Sequence, residues 1–112
     1  MVDSSIPKFF EKSLKERLDV VADFSSLSQD ELKIIKNATG GISYDDADGM
    51  IENAIGTFSL PLGIATNFRI NDKDYLIPMV IEEPSVIAAA SKAAKLQKFM
   101  EVSRLNLSNH TA

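Results

Sequence analysis

No cysteine occurs among the 112 residues, which excludes disulfides, thiol catalysis and thiolate metal sites and fits a cytosolic protein. The single histidine, His110, falls in the last few residues, where chain ends are ordinarily loose, so it is a poor candidate for a ligand or a catalytic base. Basic residues are not in excess: 12 Lys and Arg face 16 Asp and Glu, for a net charge of −4. A surface built to neutralise phosphates needs the opposite balance, so nucleic acid is not the expected partner. No polybasic or basic amphipathic stretch points to a membrane surface. The uncharged run from Asn53 to Asn67 is too short to cross a bilayer and carries Gly56, Pro61 and Gly63. The N-terminus has Asp3, Lys8 and Glu11 in place of the apolar segment of a signal peptide. All five glycines lie between positions 40 and 63, and none forms a GxGxxG phosphate loop.

What is present reads as one modest domain. A chain this short buries only about two thirds of its unfolded surface, and 45% apolar with 25% charged residues is ordinary for a globular protein. The first fifty residues carry helical signals. Ser13 with Glu16 and Ser28 with Glu31 each match a capping box, and Ser43 with Asp46 starts a third helix. Leu14, Leu18, Val21 and Phe24 give an apolar stripe after the first of these, and Leu32 and Ile35 a shorter one that stops near Gly40-Gly41. Met50, Ile51, Ala54 and Ile55 form the apolar side of a third helix, and Ile6, Phe9 and Phe10 are expected to dock the N-terminal arm.

The periodicity then changes. Thr57 to Ile70 reads as extended, and Asn71-Asp72 makes a tight turn into a second strand, Tyr75 to Ile81. Pro78 places an edge or a bulge in that strand. Pro84 is suited to the first position of a helix running from Ser85 to about Met100. The expected fold is α+β: a helical N-terminal region, then a small antiparallel hairpin with a long helix packed on it.

Chemistry concentrates at Glu82-Glu83-Pro84-Ser85. Alternation along a strand would send the two glutamates to different faces, so at most one enters a given pocket. Burial among Met79, Val80 and Ile81 would raise its pKa and the helix N-terminus would lower it, which makes it a tunable acid or base. Ser85 and free backbone N–H groups could hold a carboxylate, and Lys92, two turns on, a phosphate. The plainer reading is helix capping with favourable dipole placement. The Asp45, Asp46, Asp48 cluster reads as a solvated helix start, since no His or Cys joins it to make a metal site.

The order of motifs carries a resemblance. Glu52-Asn53-Ala54-Ile55-Gly56 is similar to the ENVIG signature of 3-hydroxy-3-methylglutaryl-coenzyme A (HMG-CoA) reductases, with alanine for valine. TFSLPLGIATNF, Thr57 to Phe68, resembles the bacterial and archaeal branch, the class II enzymes, and so does Pro78-Met79 followed by Glu82-Glu83-Pro84-Ser85. The likeness runs from Ile6-Pro7 to about Leu96. It implies an oxidoreductase that converts HMG-CoA to mevalonate and CoA with two hydrides from NADH or NADPH. It implies a catalytic role for Glu83, an HMG pocket for Ser85, a supporting place at the substrate site and dimer contact for Asn53, and proximity to coenzyme A for Lys92. It further implies a homo-oligomer, a dimer or higher, in the cytoplasm.

The same resemblance divides the chain into a helical region, 1–49, and a partial substrate-binding large domain, 50–112, whose text departs from the family from about 97. The lysine, aspartate and histidine that complete the family's catalytic set, and its nicotinamide-binding domain, lie beyond the matched part. The expectation is therefore an N-terminal, substrate-binding portion that is inactive alone. The alternative is a non-catalytic dimerisation or HMG-CoA-binding module.

Overall fold

The computed structural model describes residues 3–37 and 41–111, with side chains on the last helix as far as Glu101. The fold is α+β: helices α1 (Leu14–Ser25), α2 (Gln29–Asn37) and α3 (Tyr44–Met50), strands β1 (Leu62–Ile70) and β2 (Lys73–Val80), and helix α4 (Val86–Thr111). The chain separates into two compact units, residues 12–59, and residues 1–11 together with 60–112.

In residues 12–59 the helices start where capping boxes put them. Ser13 and Glu16 exchange side-chain and backbone bonds at the head of α1, as do Ser43 and Asp46 at α3. Ser28 accepts from the Glu31 N–H at 3.1 Å and returns its own N–H to the Glu31 carboxylate at 2.9 Å. Helix α1 closes through Ser26, which turns left-handed (φ 56°) and donates its N–H to Ala22. Leu18, Val21 and Phe24 are half-buried, but Leu14 is exposed. Helix α3 is shorter than its sequence suggests. It stops at Met50, and Ile51 and Ile55 project outward, Ile55 with 94% of its surface exposed. Ala47 is the buried apolar residue of this unit. The stop signal at Gly40 lies outside the described residues.

The second unit is a hairpin with α4 across one face. Asn71 and Asp72 both take positive φ, 51° and 65°, and join Ile70 to Lys73 as a two-residue turn whose twist matches the strands. Pro78, opposite Ile64, is tolerated because both strands of a two-stranded sheet are edges. The irregularity lies in β1, not at Pro78: Ala65 pairs Ile77 and Phe68 pairs Tyr75, so Thr66 and Asn67 together face one residue of β2.

Small residues bring α4 close. Ala65 and Ala94 are buried, and a Cβ added at Gly63 would stand 2.5 Å from the tip of Ile87. Helix α4 differs from expectation at both ends. It begins at Val86, with Ser85 ahead of the first turn and Pro84 in a turn before it, and it continues to Thr111. No glycine or proline follows Pro84 to break it.

Candidate functional site

Strand β2 ends at Val80, so Glu82 and Glu83 occupy a bend and not the strand. The face alternation expected for them therefore does not apply. Neither is buried; both are exposed, as is Val80 just before them. The bend is anchored just ahead of them, where the Ile81 N–H donates to the Pro61 carbonyl at 3.2 Å.

Ser85 follows with φ 75°, a backbone region costly for a residue with a side chain. Its carbonyl accepts the first helical bond of α4, from Ala89 at 2.9 Å. The segment thus presents two carboxylates, one hydroxyl and the free N–H groups of a helix start within a few residues.

Lys92 is exposed and turned away from the hairpin face of α4, which is marked by Ile87, Ala90, Ser91, Ala94 and Lys98. Lys95 instead lines a cleft of about 440 Å³ whose other walls include Ile6, Phe9, Asn67, Ile87 and Ser91. Asn53 lies in the other unit, exposed in a turn with φ 59°. Glu83, Ser85 and Lys92 share one unit; Asn53 does not.

The residues that hold the cleft together escaped the sequence reading. At the bulge, the Thr66 N–H donates to Ser91 Oγ at 2.9 Å, the Asn67 N–H to the Ser4 carbonyl at 2.8 Å, and Asn67 Nδ2 to the Ser91 carbonyl at 3.1 Å. The ladder bonds lost at the bulge are thus replaced by the helix and the arm.

Beside it, Asp74 is 6% exposed at its side chain and accepts from four sources. These are Arg69 Nε at 2.7 Å, the Ser4 N–H at 2.8 Å, Ser4 Oγ at 3.1 Å and Lys98 Nζ at 3.2 Å. The Arg69 hydrogen bond, with Ser4 and Lys98 behind it, holds the Asp74 carboxyl well below the usual carboxylate range against the opposing effect of burial. Lys98 also donates to Asp3 at 2.8 Å and to Ser5 Oγ at 2.8 Å, and its bond lowers the Asp3 pKa. The available signal was the Arg69/Asp74 pair flanking the tight turn, directly opposite across the hairpin. Nothing local ties either to Ser4.

The description "Hydroxymethylglutaryl-coenzyme A reductase" belongs to the family model that matches residues 13–103. The chain belongs to this family. It is similar to the HMG-CoA reductase of Archaeoglobus fulgidus, 58% identical over 97 residues, covering 87% of this chain and 22% of that protein. It is also similar to a probable HMG-CoA reductase of Borreliella burgdorferi, 39% identical over 79% of this chain and 19% of the relative. Among solved structures it superposes on the HMG-CoA reductase of Streptococcus pneumoniae with a TM-score of 0.70 and 38% identity, over 81% of this chain and 21% of that one. A class II reductase of the same organism has been solved bound to NADPH. The chain spans about a fifth of the length of these reductases.

The NADH or NADPH that the resemblance implies is matched by this NADPH-bound relative. The residues described here do not fit that cofactor. The one helix that follows a strand, α4, is preceded by Glu82 and Glu83, whose carboxylates would repel a pyrophosphate. No group of three or more His, Cys, Asp or Glu residues is arranged to hold a metal among the described residues, and no described helix is long and apolar enough to cross a membrane.

Proposed function

We propose that this chain is the substrate-binding, Glu83-bearing portion of an HMG-CoA reductase and that it performs no reduction alone. The observation that carries the reading is the delivery of Glu83 and Ser85 on an anchored bend into a left-handed residue at the head of α4. Backbone strain of this kind is kept where it positions a group.

In this reading Glu83 moves protons at the thioester-derived carbonyl as hydrides arrive, and Ser85 hydrogen-bonds the HMG moiety. The nearby cleft is apolar along Ile6, Phe9 and Ile87 and cationic at Lys8 and Lys95, which suits a long thioester chain ending in phosphates. Lys92 for the coenzyme A end and Asn53 for the substrate site are carried by the family resemblance alone. The substrate-binding portion accordingly occupies residues 50–112 and the helical region 1–49. For the complete enzyme the reading carries with it a homo-oligomeric assembly in the cytoplasm, HMG-CoA as the ligand, and mevalonate and CoA as products.

Two measurements test it. The purified chain, given HMG-CoA with NADPH or NADH, is expected to form no mevalonate; detectable turnover overturns the inactivity. In calorimetric titration HMG-CoA is expected to bind, weakened in Ser85→Ala and preserved in Glu83→Gln. Absence of heat at millimolar ligand removes the binding role.

A second reading, a dimerisation module, is favoured by one observation. Large apolar side chains such as Phe58 (88% exposed), Phe99 and Met100 lie open. Light scattering separates the two, since a strictly monomeric chain leaves only the first.

A further inference from the structure

Residues 3–11 are held in an unusual way. The arm leaves its apolar residues lightly covered: Ile6 and Phe9 are half-buried and Phe10 is 80% exposed. Its fully buried residue is polar, Ser4 at 0% exposure. Every polar group of Ser4 is engaged. The N–H goes to Asp74, the carbonyl accepts from Asn67, and the hydroxyl donates to the Phe68 carbonyl (3.0 Å) or Asp74 while accepting from Lys98 (3.1 Å). Lys98, 11% exposed, then reaches past Ser4 to Asp3 and Ser5 on either side. Beyond this root the arm forms one wall of the cleft against the bulge and α4.

We propose that residues 3–11 are a strap latched by Lys98 and Asp74, able to lift from the cleft as a unit while the hairpin and α4 stay folded. Three features support separability. The hairpin's own ladder does not include the arm. The bulge has a second fastening through Ser91, independent of Ser4. The arm's hydrogen bonds and its ion pair to Lys98 are confined to one end, residues 3–5, so they can be lost without opening an apolar interior. The device is independent of which ligand occupies the cleft.

Amide exchange by NMR on the 112-residue protein tests it, because two adjacent amides report on different fastenings. The Asn67 N–H is bonded to the arm and the Thr66 N–H to α4. In Lys98→Met, exchange at Ser4 and Asn67 is expected to rise by about tenfold or more, with Thr66 and the amides around Ile64 and Ile77 unchanged. Asp74→Asn should give the same pattern. Arg69→Gln, which loses a bond to Asp74 but none to the arm, should give a weaker one. Since the chain has no cysteine, Ile6→Cys supplies a single labelling site whose reactivity should rise in step with Asn67 exchange. Thr66 and Asn67 accelerating together, neither accelerating, or loss of the folded hairpin in both Lys98→Met and Asp74→Asn would each overturn the strap.

Discussion

The side-chain hydrogen bonds of residues 12–59 bridge three to five positions, whereas in the other unit Ser4 reaches Asp74 across 70 positions and Lys98 reaches Asp3 across 95. Helices α1, α2 and α3 are stabilised end by end, each by its own capping residues, and their apolar faces remain largely open. The hairpin unit gathers its polar groups into one buried cluster that joins the arm, both strands and α4. Local bonds make elements; distant bonds fix how elements are arranged. The candidate site depends on the second kind, because the cleft walls come from the arm, β1 and α4 at once.

The contrast can be broken most strongly at Asp74. Asp74→Ala leaves Arg69, Lys98 and the Ser4 N–H without their shared acceptor, and a loss of about 3 kcal/mol is expected, as for breaking a buried ion pair. Urea denaturation followed by hairpin NMR signals measures it. Acid should act on the same cluster. Asp74 and Asp3 have folded pKa values depressed below the ordinary 3.8, so they contribute stability above that value and lose it as pH falls toward their folded values. The charges facing them are Arg69 on β1 and Lys98 on α4. The hairpin unit is expected to hold from pH 8 to pH 5 and to loosen progressively below about pH 4 in an NMR titration.

A smaller effect is expected at Ser91. Ser91→Ala strands the buried Thr66 N–H and should cost about 2 kcal/mol, with faster exchange at Thr66 but not at Asn67's neighbours across the hairpin turn. The smallest belongs to residues 12–59, where Ser13→Ala should cost about 1 kcal/mol of local helix stability and leave the hairpin spectrum unmoved. A Ser13 change that disturbed the hairpin as much as Asp74→Ala would dissolve the distinction between the two units.

The same distinction explains what could be seen in the sequence. Two capping boxes, the helix start at Ser43 and the Asn71-Asp72 turn are statements about residues at most three apart, and all appear in the structure. The α4 start was placed early because Pro84 suits a first helical turn, yet the left-handed Ser85 delays the helix to Val86. Apolar neighbours in sequence, Met79-Val80-Ile81, do not bury a glutamate once the strand ends at Val80, and Glu82 and Glu83 are exposed. Ser4, Asp74 and Lys98 gave no sign of one another, since their meeting is set by the hairpin and α4 together. The family motifs put Glu83 and Ser85 on either side of Pro84 at a helix head, while the lysine that lines the cleft, Lys95, is set by which face of α4 meets the hairpin.

The extra residue in β1 sets a parity. Ala65 and Phe68 pair with Ile77 and Tyr75, two steps apart on β2 and so on one side of the ribbon, although 65 and 68 differ by an odd number. Odd-numbered positions point one way before Thr66-Asn67, and even-numbered positions point that way after it. Deleting either residue would restore plain alternation with Phe68 still beside Ala65 and Arg69 still opposite Asp74, but the strand would lose one of the two amides it now lends to α4 and to the arm. One codon at this point supplies a spare set of backbone groups without turning over the strand that follows.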